Sequence, residues 1–338
     1  MQKAFIAAVA GVELTAPEHE LIASARPAGL ILFARNVRSP EQVRNLVASF
    51  KASAGCERIL VLVDQEGGRV QRLRPPIASQ LPPAAAYAAH FAGDTHGAAK
   101  AARSVARLLA DELRSFGINT DCAPVVDLPV PGSHDVIGNR AFGTDAATVI
   151  ALGRAFAEGL MGGGILPVFK HIPGHGRATA DSHLELPVVT ANKSDLESSD
   201  LQPFKALSGL PAAMTAHVVF QALDPSAPAS TSRHVTREVI RGYCGFDGLL
   251  ISDDLGMRAL TGSFAERTRA VLDAGTDLAL HCSGNFDEMR EVAEAAPRLA
   301  GRSLERFERA LAVAKRPAEP FDEAAARAML TAIVARDA

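Results

Sequence analysis

Eight short apolar runs recur along the chain, at about Ala4–Ala10, Gly29–Phe33, Ile59–Val63, Thr120–Val125, Ile165–Phe169, Ala212–Ala216, Gly248–Ser252 and Asp277–His281. Each is too short for a stable helix and reads as a strand buried on both faces. Segments with helical periodicity lie between most of them. Thr95–Phe116 repeats Ala, Val, Leu and Phe at spacings of three and four, and Gly117 closes it. Asp145–Met161 is a second such helix, opened by Thr144 or Asp145. Ser194–Leu207 is a third, which Pro203 should interrupt or restart. Thr236–Tyr243, Ser263–Ala274, Leu304–Val313 and Glu323–Ala335 follow. Eight strands alternating with helices predict a (β/α)8 TIM barrel. Such a barrel takes roughly 250 residues, so 338 residues allow one domain with long loops and hardly a second catalytic unit. The barrel is expected over about 1–300 and a helical tail with a solvated outer face over about 301–338. A doubly wound open sheet is the rival, weakened because no GxGxxG follows the first run.

Charge and composition narrow the partners. A net charge of −3 gives no field to attract nucleic acid or an anionic membrane. With no Trp and two Tyr, there is little aromatic surface for stacking single-stranded bases. The four cysteines, Cys56, Cys122, Cys244 and Cys282, have no CxxC spacing, which argues against a structural zinc site or a disulfide framework. The N-terminal residues are basic and then apolar, but the apolar run is short and Glu13, Glu18 and Glu20 follow, so a first strand is expected there. No run approaches the ~20 apolar residues of a membrane span. A cytoplasmic protein, monomeric and without a cofactor, is the expectation.

A barrel of this kind places its chemistry at the C-terminal ends of its strands, and that is where the ionisable residues fall. Asp64 follows the third run and opens a segment reaching Arg72. Asp127 follows the fourth, with Arg140 further along the same loop. Lys170 and His171 end the fifth, His217 the sixth, Asp253 and Asp254 the seventh, and His281 the eighth. Singly, each has a structural explanation: an aspartate after a strand caps a turn, and His217 on an apolar stretch reads as a hydrogen-bonded core histidine. Their convergence on one end is what points to a site. Asp253 and Asp254, as strand neighbours, should face opposite ways, and periodicity does not choose between them.

The densest polar stretch runs from Lys170 to His183. Pro173, Gly174 and Gly176 break regular structure in it. A strand therefore delivers Lys170 and His171 to its own end, and a mobile loop then carries Asp181-Ser-His183. An aspartate bonded to one imidazole nitrogen fixes the tautomer and leaves the other free for proton transfer. Asp253 at the rim could then act as a carboxylate nucleophile, as in retaining glycoside hydrolysis. Asp64, Arg72, Arg140, Lys170 and His171 could grip substrate hydroxyls or an amide.

Five segments, in order, resemble the bacterial β-N-acetylglucosaminidases of glycoside hydrolase family three. They are Gly29-Leu-Ile-Leu-Phe-Ala-Arg-Asn36, Asp64-Gln-Glu-Gly-Gly-Arg-Val-Gln-Arg72, Lys170-His171 with Pro173-Gly-His-Gly176, Asp181-Ser-His183, and Ser252-Asp-Asp-Leu-Gly-Met257. The resemblance implies a metal-free retaining enzyme of peptidoglycan recycling that forms a covalent glycosyl-enzyme. It implies Asp253 as nucleophile, His183 as acid/base with Asp181 as its partner, and Asp64, Arg72, Arg140, Lys170 and His171 as sugar-binding residues. The implied substrate is N-acetylglucosamine β-linked to 1,6-anhydro-N-acetylmuramic acid, with or without peptide. Ile172 and Arg177-Ala178 depart from the family's usual Phe and Asp-Thr and bear on loop closure.

Three other readings stay open at this level. A metal-dependent hydrolase could draw ligands from His171, His175, His183, Asp253 and Asp254, although Pro173-Gly174 prevents a helical pairing of the first two. A phosphorylase could use phosphate as acceptor, because a histidine acid/base does not repel it. A non-catalytic sugar-binding barrel would have no need of Asp253 or of the Asp-Ser-His loop.

Overall fold

The computed structural model describes residues 1–337. Eight parallel strands close into a barrel: β1 Lys3–Ala7, β2 Pro27–Leu32, β3 Leu60–Val63, β4 Thr120–Asp121, β5 Leu166–Ile172, β6 Ala212–Thr215, β7 Leu249–Asp254 and β8 Leu278–Leu280. Each strand pairs with the next in sequence, and β8 returns to β1 through Phe5 opposite Ala279. All eight apolar runs therefore become barrel strands.

The strand pleat divides the core in two. On β3, Leu60 and Leu62 join the barrel interior with Ile6, Leu166, Val168, Met214, Leu249 and Ile251. Val61 and Val63 face outward, packed with Phe5, Phe50, Val105 and Phe169 beneath the surrounding helices. Burial on both faces explains why the runs look continuously apolar rather than alternating. The same period of two carries on into the polar strand ends. Lys170 continues the inward row of Leu166 and Val168, and Asp253 continues that of Leu249 and Ile251.

The helices show their causes in sequence. Thr95–Ser115 is capped by the Asp94 side chain on Gly97 N, and it ends before Gly117, which adopts φ 80°. Asp145, rather than Thr144, caps Ala146–Gly162. Around Pro203 the helix restarts, as expected: there are two, Lys193–Ser198 and Leu201–Ala206, and Pro203 sits in the first turn of the second. Val235–Tyr243 is wound as a π-helix. Four further helices, Ala16–Ala25, Pro40–Ala54, Ala84–Phe91 and Phe286–Ala295, complete the outer layer.

The helical tail, expected to carry a solvated outer face, also has an apolar inner one. Gly301–Val313 buries Phe307, Ala310, Leu311 and Val313 against the barrel-interior cluster, on the side away from the polar strand ends. Arg306, on the same helix, is itself largely buried where it pairs with Asp277 at 3.2 Å. Glu323–Asp337 packs on Thr95–Ser115 and buries Ala326 and Ile333. These apolar positions interrupt the charged sequence at helical spacing and seat both helices on the barrel.

Candidate active site

One cavity at the C-terminal end of the barrel is lined by Asp64, Arg72, Arg140, Lys170, His171, His183 and Asp253, with Phe33, Glu66, His175, Ser182, Asp254 and Met257 among the rest of its wall. Of the residues singled out from sequence as catalytic or sugar-binding, only Asp181 is outside the lining, and it touches His183 directly.

The floor is a charge network. Asp64 leaves β3 and Glu66 follows two residues later, in a hairpin formed by Gln65–Gly67 and Val70–Gln71. Gly67, at φ 104°, makes the bend possible; a Cβ there would meet the Pro82 carbonyl. Lys170 Nζ reaches both carboxylates, at 2.8 Å from Asp64 and 2.7 Å from Glu66. Arg140 closes a fork on Glu66 with bonds of 2.8 and 2.9 Å, and Arg72 donates to Asp64 at 3.1 Å. Burial alone would raise both carboxyls, but the cations outweigh it. Lys170 and Arg72 hold Asp64 far below the usual carboxylate range, and Arg140 with Lys170 brings Glu66 to about 2. Lys170 is in turn kept charged by Asp64 and Glu66, although burial opposes it. Three fixed cations over two carboxylates leave one net positive charge and several free hydrogen-bonding directions facing the cavity.

Asp127, from the loop after β4, organises the neighbouring wall. It accepts the His171 ring Nδ1 at 2.7 Å and the His175 backbone N–H at 2.7 Å. A carboxylate only accepts, so His171 carries its proton on Nδ1 and turns Nε2 toward the cavity. Asp127 is thus a brace between two strand ends, more than the turn cap that an aspartate after a strand suggests.

Asp253 is buried, with 8 % of its surface exposed, and accepts the Asp254 backbone N–H at 2.8 Å. Burial would raise its pKa; His171 and His217 outweigh that and hold it below the ordinary value. Asp254 behaves oppositely. Burial, with the neighbouring Asp253 charge adding to it, raises its carboxyl to about 6, even though Gly256 N–H and Cys282 N–H bond to it. Both residues reach the cavity wall because β7 is irregular here. Ile251 pairs with Leu278 but Asp254 pairs with Leu280, a slip of one residue that defeats strict alternation. His217 is the hydrogen-bonded core residue its apolar surroundings suggest. Its Nδ1 meets Ser230 Oγ at 2.6 Å, and Nε2 donates to the Asp254 carbonyl at 3.0 Å.

The loop after β5 lies against the barrel. Asp181 Oδ1 accepts both the backbone N–H and the ring Nδ1 of His183, at 2.9 and 2.8 Å. This directs the His183 Nε2 lone pair away from Asp181. The His183 side chain is 60 % exposed, the Asp181 side chain 22 %. Those hydrogen bonds and the His183 charge keep Asp181 ionised below its usual value despite partial burial. Arg177, where the chain departs from the family pattern, clamps the loop base to Asp200 through Nε and Nη2 at 2.8–3.2 Å.

Sequence reasoning assigned no catalytic or sugar-binding role to Glu66, His175 or Ser182, which also line the cavity. Glu66 had a signal, since residues two apart on an extended chain share a face with Asp64. His175 and Ser182 stood in the motif segments, but their contact had no signal, because it depends on the path of an irregular loop. Among the described residues no three histidines, cysteines or acids form a group able to hold a metal ion.

The chain and its fold have counterparts among known proteins. A model of the glycosyl hydrolase family 3 N-terminal domain matches residues 6–312. A β-hexosaminidase of Alkalilimnicola ehrlichii is 42% identical over 277 residues, covering 81% of this chain and 78% of that protein. One from Xanthomonas euvesicatoria pv. vesicatoria is 40% identical over 300 residues, covering 88% and 87%. The crystal structure of NagZ from Neisseria gonorrhoeae in complex with N-trifluoroacetyl-D-glucosamine aligns with a TM-score of 0.84 at 32% identity, over 99% of this chain and 97% of that one.

Proposed function

The chain belongs to glycosyl hydrolase family 3 and is a glycoside hydrolase of the β-N-acetylhexosaminidase kind, and from that premise we propose that it removes terminal N-acetylglucosamine with retention, through a glycosyl-aspartate on Asp253. The observation that carries this reading is that a buried, ionised Asp253 and an Asp181-held His183 line one cavity.

In the first step the Asp253 carboxylate attacks the anomeric carbon. The C–O bond to the leaving group breaks as protonated His183 gives its Nε2 proton to the departing oxygen. Asp181 stabilises the imidazolium before that transfer. In the second step neutral His183 takes a proton from water, the water oxygen bonds to the anomeric carbon, and Asp253 is released. Two displacements return the original configuration. A neutral-to-cationic acid/base suits this site, because a second carboxylate beside Asp253 would suffer like-charge repulsion. Lys170, Arg72, Arg140, Asp64 and His171 are placed to hold the sugar hydroxyls and the N-acyl group from the cavity floor.

The N-acylated glucosamine bound by the Neisseria relative supports an N-acetylglucosamine specificity. With the motif resemblance, it supports muropeptide fragments, GlcNAc-1,6-anhydroMurNAc with or without peptide, as the substrate. A cytoplasmic monomer fits that role. Among the described residues no helix is long and apolar enough to cross a membrane. The test is cleavage of an aryl N-acetyl-β-glucosaminide and of the muropeptide disaccharide by Asp253→Ala and His183→Ala. Loss of both activities in the first variant is expected, and undiminished turnover by it would refute the mechanism.

A further inference from the structure

The segment that carries the acid/base is held by very little. Upstream, the loop is fixed four times over: His175 N–H to Asp127, Gly176 against the Leu128 carbonyl with no room for a Cβ, Arg177 to Asp200, and His134 N–H to the Ala178 carbonyl. Downstream, it is fixed again where Val219 N–H meets the Pro187 carbonyl. Between Ala178 and Pro187, every hydrogen bond among the described residues that leaves the segment goes through Ser182. The other bonds stay within it: His183 to Asp181, and the Leu184 and Glu185 N–H groups to the Asp181 carbonyl. Apolar packing does not compensate, since Leu184 is 64% and Leu186 39% exposed.

Ser182 itself is buried and bridges two walls. Its Oγ lies 3.1 Å from His175 Nε2 and 3.6 Å from Met257 Sδ, and its carbonyl accepts the Ala259 N–H at 3.3 Å. The groups form a consistent donor chain, from His175 Nε2–H to the Ser182 oxygen and from the Ser182 hydroxyl to the Met257 sulfur. One end belongs to the continuation of β5; the other lies four to six residues beyond Asp253. The bridge therefore spans from the sugar-binding side to the nucleophile's own loop, with the acid/base as the next residue.

We propose that Ser182, anchored by His175 and by residues 257–259, is the clasp that seats His183 over the cavity, a positioning role in the proton-transfer half of the reaction. The proposal rests on His183 being the acid/base. Its signature is selective. A substrate with a poor leaving group, such as the disaccharide, needs a seated proton donor; a dinitrophenyl N-acetyl-β-glucosaminide departs without one.

The test compares kcat/KM on those two substrates for the wild type, Ser182→Ala, His175→Ala, the double variant and His183→Ala. Ser182→Ala is expected to lose about tenfold on the disaccharide, the factor that corresponds to one net hydrogen bond, and less than about twofold on the dinitrophenyl glycoside. His175→Ala should show the same selectivity, and the double variant should lose little more than either single one, because the residues act as one unit. Should one variant fail to fold, the other keeps the comparison. Equal losses on both substrates, or no loss in Ser182→Ala while His183→Ala is selective, would overturn the clasp alone. Absence of selectivity in His183→Ala would overturn the acid/base reading, and the clasp with it.

Discussion

Lys170 and Asp64 are 106 positions apart in sequence, yet Lys170 Nζ sits 2.8 Å from Asp64 Oδ1. The contact joins the ends of β5 and β3 across the intervening β4, and the same ammonium reaches Glu66. The charged floor of the cavity is therefore also part of the barrel's closure, so changes there have consequences for stability as well as for the cavity.

Lys170→Met should destabilise the fold by about 3–5 kcal/mol, because it leaves two buried carboxylates with reduced compensation. It should also abolish turnover. Urea unfolding at neutral pH reads the first effect, and the aryl glycosidase assay in folded protein reads the second.

Glu66 sets an acid limit. Its carboxyl is ordinarily near 4.5 and is brought to about 2 in the folded protein. The unfolded chain therefore binds the proton first, and stability is lost as pH falls from about 5 toward 2. Glu66→Gln should be less stable than the wild type at pH 7, yet show a flatter decline over that window in urea titrations.

Asp121, on β4, titrates in the opposite sense. It is fully buried, its Oδ1 accepts the Gln65 N–H, and its Oδ2 has no partner. Burial raises its carboxyl from 3.8 to about 8, although the Gln65 bond and Lys170 oppose the rise. Here the folded state holds the proton longer, so this group's contribution declines as pH rises from about 4 to 8. Asp121→Asn keeps an acceptor for Gln65 and removes the charge. It should exceed the wild type in stability by about 1 kcal/mol or more at pH 8, with the gap narrowing by pH 5.

His217→Ala should cost about 1–3 kcal/mol, the penalty of leaving the Asp254 carbonyl and Ser230 hydroxyl buried without their partner. Because the Asp254 N–H holds the Asp253 carboxylate, kcat on the aryl glycoside should fall as well. Thermal unfolding and kcat, measured together, separate this variant from a purely structural lesion, which would lower the melting point alone.

The strands were legible because burial on both faces makes each a compact apolar run, and turn residues bound it. The polar residues following those runs then marked one end of the barrel. Asp253 and Asp254 show where legibility stopped. Asp253 shares its face with Leu249 and Ile251, but an equally apolar outer face hides which row points inward. The register slip at Ile251–Asp254 then brings both neighbours to the cavity. Four outer helices went unread; the shortest of them, Ala84–Phe91, carries too little pattern in its 8 residues. Ser182 and His175 meet through a loop fixed by tertiary contacts with Leu128 and Asp200, which no local spacing encodes.

The central claim is a covalent glycosyl-aspartate on Asp253. A fluorinated N-acetylglucosaminyl donor that slows the second displacement should trap it, and fragmentation mass spectrometry of the proteolysed enzyme should locate it. The expected result is one sugar added to Asp253, in step with loss of activity, and no addition in Asp253→Ala. A label on Asp254, or inactivation without any label on this strand, would contradict the mechanism.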